Sequence, residues 1–330
     1  MLVTFYKSFV SAILSFISLF SSIFPIGIST DFTPVDAENV NLTFAAVSDT
    51  HMTDSEARLF LLKLGLSDME NASRPLDAFV HTGDITDHGY ERQWLMLRKG
   101  FDVHTPAKNI ILAEGNHDTW TGEKPDRFSP SKELFIRFNK EISDREIDNV
   151  YYSTVVNGYT FIVLGSEDDG VDAYISEAQF AWFENEMEKA SESGLPVFIV
   201  FHQPLNLTHG LPGTWGEDDA TDITGGIGDQ SDRFNAIIQK YKNVFYLSGH
   251  IHNGVANEDT SSLYGYSSVE THGNVTSVNL PSYSNVTFRG EMTNGLGFVV
   301  EVYDDEVIIR TRSFSNGIWY SQYTYTIPLA

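Results

Sequence analysis

The residues of this chain best suited to chemistry fall in five short polar motifs. They are Asp49-Thr50-His51, Gly83-Asp84, Gly115-Asn116-His117-Asp118, Phe201-His202-Gln203-Pro204 and Gly249-His250-Ile251-His252. Each follows a short apolar run. Their side chains offer carboxylate, carboxamide and imidazole donors and no thiolate, a set that suits a pair of divalent or trivalent cations of borderline hardness. Metal-assisted hydrolysis is the chemistry such a set would do. Taken singly, an Asp-x-His or Gly-Asp pair is more often a turn or a cap than a ligand. Turn chemistry does not explain five clusters of one ligand type at the same point relative to five apolar runs. Half of the ten histidines sit in these motifs. His81, His88, His104, His209 and His272 lack a partner pattern and read as structural, surface or substrate-facing residues.

To converge, the motifs need a scaffold that brings strand ends together. Apolar runs at Leu42 to Val47, Phe79 to Thr82, Ile110 to Ala113, Pro196 to Phe201 and Val244 to Leu247 predict strands. Helical patterns separate them, over Ser55 to Glu70, Glu91 to Lys99, Ser131 to Glu141, Ser176 to Ala190 and Asp232 to Tyr241. Asn157-Gly158, between Tyr151 to Val156 and Tyr159 to Leu164, predicts a hairpin. In open α/β sheets, ligands gather at the carboxyl ends of the strands. Every motif here occupies that position. The last 70 residues change to alternating β patterns, with Asp304-Asp305 turning a hairpin between Phe298 to Tyr303 and Val307 to Ser313. No polar linker precedes them, so residues 38–330 read as one α/β domain with a strand-rich C-terminal part.

The chain carries 21 basic and 45 acidic residues, a formal charge of −24, so bulk nucleic acid and anionic membranes are poor partners. Bound cations would reverse the field locally, so a small phosphorylated substrate stays compatible. Residues 1–30 read as a signal peptide or an uncleaved signal anchor, Lys7 being followed by an uncharged apolar run from Phe9 to Ile28. Either way the rest is expected to be secreted or extracytoplasmic. Zero cysteines exclude a disulfide framework.

Taken in order, Asp-x-His, Gly-Asp, Gly-Asn-His-Asp, a single His and Gly-His-x-His resemble the calcineurin-like metallophosphoesterase superfamily. The likeness spans about Leu42 to His252, and the strand-rich tail resembles secreted and bacterial phosphodiesterase members. It implies a four-layer αββα sandwich around a two-metal centre. By position, one metal falls to Asp49, His51, Asp84 and His252, and the second to Asp84, Asn116, His202 and His250. Asp84 would bridge the two, and a metal-bridging hydroxide would attack phosphorus in line. His117 matches the family's proton donor. Asp87 matches the carboxylate that orients it in the protein-phosphatase branch, with Asp118 as the rival. That branch has an Arg where this chain has His88, so activity on phosphoproteins is not expected. Purple acid phosphatases place a metal-binding Tyr where this chain has Asp87, so an iron–tyrosinate site is not expected either.

The implied function is a dinuclear metal-dependent phosphoester hydrolase acting on small phosphodiesters, cyclic nucleotides among them. The alternatives are a phosphomonoesterase or nucleotidase, and a non-catalytic binding scaffold of the same fold. The ligand set admits Mn, Fe, Zn or Co. The Gly-, Asp- and Thr-rich segment from Leu205 to Gly228, between two motif strands, is the candidate for substrate selection, with Trp215 and His209 as contacts.

Overall fold

All six residues of β1 (Leu42–Val47) are buried, as expected of a strand with hydrogen-bonded neighbours on both sides and both faces covered. The chain continues through α1 (Glu56–Glu70), β2 (Leu76–His81), α2 (Glu91–Phe101), β3 (Ala107–Leu112) and α3 (Phe128–Ser143). Next come β4 (Tyr152–Val156), β5 (Tyr159–Val163), α4 (Glu177–Ser191), β6 (Val197–Val200), α5 (Ser231–Ile238) and β7 (Val244–Ser248). The remainder is α6 (Glu258–Tyr264), β8 (Val269–His272), β9 (Val275–Asn279), β10 (Leu296–Val302), β11 (Glu306–Ser313) and β12 (Ile318–Pro328). The computed structural model describes residues 31–121, 126–215, 225–284 and 295–330. The expected signal or anchor segment at 1–30 and positions 216–224 of the selection segment lie outside the described residues. Among the described residues no helix is long and apolar enough to cross a membrane.

The strands form two six-stranded sheets, in the orders β12-β11-β10-β1-β2-β3 and β4-β5-β6-β7-β9-β8. Phenylalanines fill the space between them. Phe44 of β1 meets Phe161 and Phe198 of the other sheet edge-on, at 5.3 and 5.1 Å between ring centroids. Alternate residues of β5 face opposite ways. Phe161 and Val163 join this central core, while Ile162 and Leu164 join a second core with Phe180 and Phe183 of α4 and Phe234 of α5. On the other sheet, Phe79 of β2 packs against Phe101 of α2 at 5.6 Å. Each such phenylalanine contributes roughly 1.5–3 kcal/mol of burial. The layers therefore run helix, sheet, sheet, helix, the expected αββα arrangement.

The hairpin turn has positive φ at both Asn157 and Gly158, the type I′ requirement that this dipeptide satisfies. Strands β2 and β3 begin three residues before their apolar runs. At that polar entry, Asp77 accepts from the Thr43 amide and the Asn109 side chain donates to the Asp77 carbonyl. Strand β10 pairs antiparallel with β1, so the tail extends the first sheet. One element departs from the expected β pattern: helix α6 forms where Asn257 caps the Thr260 amide. Strand β12 follows that pattern, as an edge strand with exposed Ser, Gln and Thr.

Strands β1, β2 and β3 are mutually parallel, as are β5, β6, β7 and β9. Their carboxyl ends form one rim. Residues 280–283 stitch the two sheets there, with Leu280 donating to the Ser248 carbonyl at 2.7 Å and Tyr283 to the Ser48 carbonyl at 2.9 Å.

Candidate metal centre

Three of the five motifs leave their strand through left-handed backbone. Ten non-glycine residues of the described chain have positive φ, and five are Asp49, His51, Asp84, His250 and His252. Left-handed backbone is costly for residues with a side chain, and it concentrates where a site must hold groups in place. Glycines make the room. A side chain on Gly83 would lie 2.6 Å from His202 Nδ1, and one on Gly249 would lie 2.5 Å from Asp49 Oδ2.

The motifs bring together two clusters of possible ligand atoms, one from Asp49, His51, Asp84 and His252, the other from Asp84, His202 and His250. In the first, His252 Nε2 lies 3.0 Å from Asp49 Oδ1 and 2.9 Å from His51 Nε2. In the second, His202 Nε2 lies 3.2 Å from Asp84 Oδ2 and 3.2 Å from His250 Nδ1. Asp84 Oδ2 belongs to both, since it is also 3.5 Å from His51 Nε2. Donors sharing a cation at about 2.0–2.2 Å must themselves sit roughly 3–4 Å apart, so the spacing fits. Two imidazole nitrogens face to face repel unless a proton or a cation lies between them. Asp84 Oδ2 and Asn116 Oδ1 are buried without a hydrogen-bond partner. Asn116 stands between Gly115 and His117, both of which touch Asp84. The seven residues thus fit a pair of cations.

Two of the imidazoles have their other ring nitrogen held by a main-chain carbonyl. His202 Nδ1 lies 3.2 Å from the Thr82 carbonyl, which can only accept, so Nδ1 is the donor and Nε2 is the atom turned inward toward Asp84. His117 Nδ1 donates to the Asp87 carbonyl at 2.9 Å, leaving Nε2 to carry or release a proton. The geometry differs here from the sequence reading. It is the main chain of Asp87, not its carboxylate, that orients His117. Asp87 Oδ1 instead lies 3.3 Å from His51 Nδ1, and Oδ2 lies 2.9 Å from His88 Nδ1. Asp118 does not compete, because its carboxylate accepts from the Ile85, Thr86 and Gly115 amides and from Thr86 Oγ1.

Electrostatics follow the same plan. Burial opposes ionisation of Asp49, yet His252 and His202 hold its carboxyl well below the usual range. Burial likewise disfavours a charged His252, but Asp49 and Asp84 outweigh it and push the imidazole up to about 10. In the second cluster Asp84 raises His202 against the effect of burial, while burial and His202 push His250 far down. Each cluster therefore pairs an imidazole pushed toward its charged form with one pushed toward neutrality. Burial, then Asp84, raises Asp118 to about 6.

Trp215, expected as a substrate contact, packs on a candidate ligand instead, and the other neighbours carried no sequence signal. Trp215 stacks on His250 at 4.5 Å and 23°, and a side chain on Gly225 would strike the Trp215 ring. Trp120 leans on His117 at 3.9 Å and 36°. Asn279 donates to the Gly249 carbonyl at 2.6 Å, and the hydroxyls of Ser282 and Ser284 donate to the Asp49 and Thr50 carbonyls. Of the unpartnered histidines, His81 is buried and accepts from the Gly83 amide, shaping the turn before Asp84. His209 is no substrate contact in this arrangement: its buried ring donates to the Ser267 carbonyl at 2.8 Å.

Residues 42–254 match the calcineurin-like phosphoesterases, and the chain belongs to that family. The family is dependent on a dinuclear metal centre. A curated relative from Rhodococcus erythropolis, named a probable cyclic nucleotide phosphodiesterase, is 28% identical over 171 residues, 48% of this chain and 51% of the relative. The chain thus matches about half of that relative's length. A dimetal phosphatase from Danio rerio superposes with a TM-score of 0.59 at 12% identity, over 88% of this chain and all of the other. A purple acid phosphatase from yellow lupin gives 0.60 at 15% identity, over 87% of this chain and 53% of its own. At such identities the structural matches bear on the fold alone.

Proposed function

We propose that this protein is a two-metal phosphoester hydrolase acting on small phosphodiesters, cyclic nucleotides being the favoured class. One observation carries the reading: Asp84 Oδ2 is shared by two donor clusters, 3.5 Å from His51 Nε2 and 3.2 Å from His202 Nε2. A cation pair held there would supply Lewis acidity at a phosphoryl oxygen and acidify the attacking water. The chain's own residues do the rest. As the ester P–O bond breaks, its electron pair goes to the leaving oxygen, and His117 Nε2 delivers the proton that oxygen needs. The Asp87 carbonyl fixes the ring through Nδ1–H, so that Nε2 is the atom that gains a proton and, in the doubly protonated ring, gives it up.

Two observations support diesters over monoesters. Arg58 approaches the centre, but its guanidinium donates to the Thr50 and His51 carbonyls instead of standing ready to hold a second phosphate charge. The name of the Rhodococcus relative points the same way. Retention of His117 beside a full donor set favours an enzyme over a scaffold. The test is turnover of bis-p-nitrophenyl phosphate against p-nitrophenyl phosphate by metal-reconstituted protein. A strong monoester preference would overturn the diester assignment, and no turnover of either would favour a scaffold. The uncharged apolar run at residues 9–28 supports an extracytoplasmic location, which N-terminal sequencing and fractionation would check.

A further inference from the structure

We infer that Trp120, His88 and Tyr90 form a stacking subsite for a planar aromatic leaving group, such as a nucleoside or an aryl alcohol. The inference rests on the diesterase reading above and adds to it which ester substituent is recognised and by what. A series of rings runs outward from the proton donor. Trp120 lies 3.9 Å from His117, His88 meets Trp120 edge-on at 6.1 Å, and Tyr90 stacks on His88 at 5.7 Å and 11°. The Arg92 guanidinium sits 4.3 Å from the Tyr90 centroid.

The rings are held in place. His88 Nδ1 is fixed by Asp87 Oδ2 at 2.9 Å, and the His88 amide donates to Gln93 Oε1 at 2.9 Å. They are also reachable: the His88 side chain is 48% exposed and Tyr90 is 37% exposed. Aromatic rings left in water beside a proton donor lose hydration cost and gain dispersion when a planar group covers them. Position selects the leaving group, because His117 protonates that oxygen and the rings adjoin His117. Trp215, on the His250 side, is committed to His250 and to Gly225. The aromatic preference should therefore be one-sided.

Base-to-aromatic stacking is worth about 1–3 kcal/mol per base, roughly a 5- to 150-fold effect. The test compares kcat/KM for a cyclic purine nucleotide and for glycerophosphocholine, in wild type, Trp120→Ala, Trp120→Phe and His88→Ala. The nucleotide-to-alkyl selectivity ratio is expected to fall at least tenfold in Trp120→Ala through a higher KM for the nucleotide. It should fall less in His88→Ala and be largely restored by Trp120→Phe. Equal losses on both substrates would mean that Trp120 only supports His117, and would overturn the subsite. An unchanged ratio in all variants would do the same. If wild type cleaves neither diester, the function reading fails on its own. The subsite is then read by calorimetry on metal-loaded protein, with adenosine 5′-monophosphate against ribose 5-phosphate. Tighter nucleotide binding that Trp120→Ala removes would uphold it, and equal binding of the two would refute it.

Discussion

The two donor clusters share a charge pattern and differ in what surrounds them. Each pairs an imidazole pushed toward its charged form, His252 or His202, with one pushed toward neutrality, His51 or His250. These two raised rings stand beside Asp49 and Asp84, where cations would. The surroundings diverge. The first cluster has a partly exposed ligand, His252 with 14% of its side chain accessible, and a half-buried carboxylate, Asp87, behind His51. The second is buried throughout, backed by the Thr82 carbonyl and covered at His250 by the Trp215 ring. Electrostatics thus suit both positions to a cation, and the difference in burial is expected to set how readily each ion exchanges.

The largest effect should come from removing what the clusters share. Asp84→Asn is expected to lose both ions by elemental analysis and to lower kcat/KM by roughly 10⁴-fold or more. His117→Ala leaves both clusters intact, so it should cut kcat by about 10²- to 10⁴-fold with metal content unchanged. A parallel loss of metal would count against its separate role.

Protonation touches both clusters. His252, raised to about 10 in the metal-free fold, stabilises that fold fully below its unfolded value near 6.5. That contribution is lost as the pH climbs through about 10. Metal loading runs the other way. Binding must displace this proton, so affinity should tighten by up to about tenfold per pH unit over the window for each proton released. Calorimetry in buffers of different ionisation enthalpy would count the protons, and a pH-independent affinity would contradict the assignment.

Smaller changes should separate the clusters. Asp87→Asn, behind His51, is expected to weaken the first ion by about 10- to 100-fold and leave the second in place. Trp215→Ala should make the second cluster behave more like the first, speeding release of the buried ion to a chelator by about 3- to 10-fold. Identical release kinetics in wild type and variant would show that the tryptophan does not seal the site.

Much of this arrangement was legible in the sequence because each ligand lies within a few residues of a strand end, and apolar runs mark strand ends well. Parallel strands then carry five separate motifs to one rim without any further signal. What could not be read were contacts set by side-chain direction and long-range packing. Asp87 was legible as an acid near the site, but that its carboxylate turns to His51 and His88 while its carbonyl takes His117 depends on the turn after Asp84. Trp120 sits in a loop with no period to mark it, and Trp215 was legible as a residue of the selection segment but not as a ring that packs on His250. Asn279, Ser282 and Ser284 reach the site only because residues 280–283 cross between the sheets.

The left-handed backbone at Asp49, His51, Asp84, His250 and His252 has a bearing on how this chain can drift under mutation. Each such residue costs of order 1 kcal/mol, and together they claim a large share of the 5–15 kcal/mol by which a typical domain stays folded. Glycine would be easier at every one of them. A lineage that stopped using the ions would gain stability by accepting such changes, and the motifs would erode from these five positions first. Positive φ at these five positions is the cost of turning their side chains toward one centre.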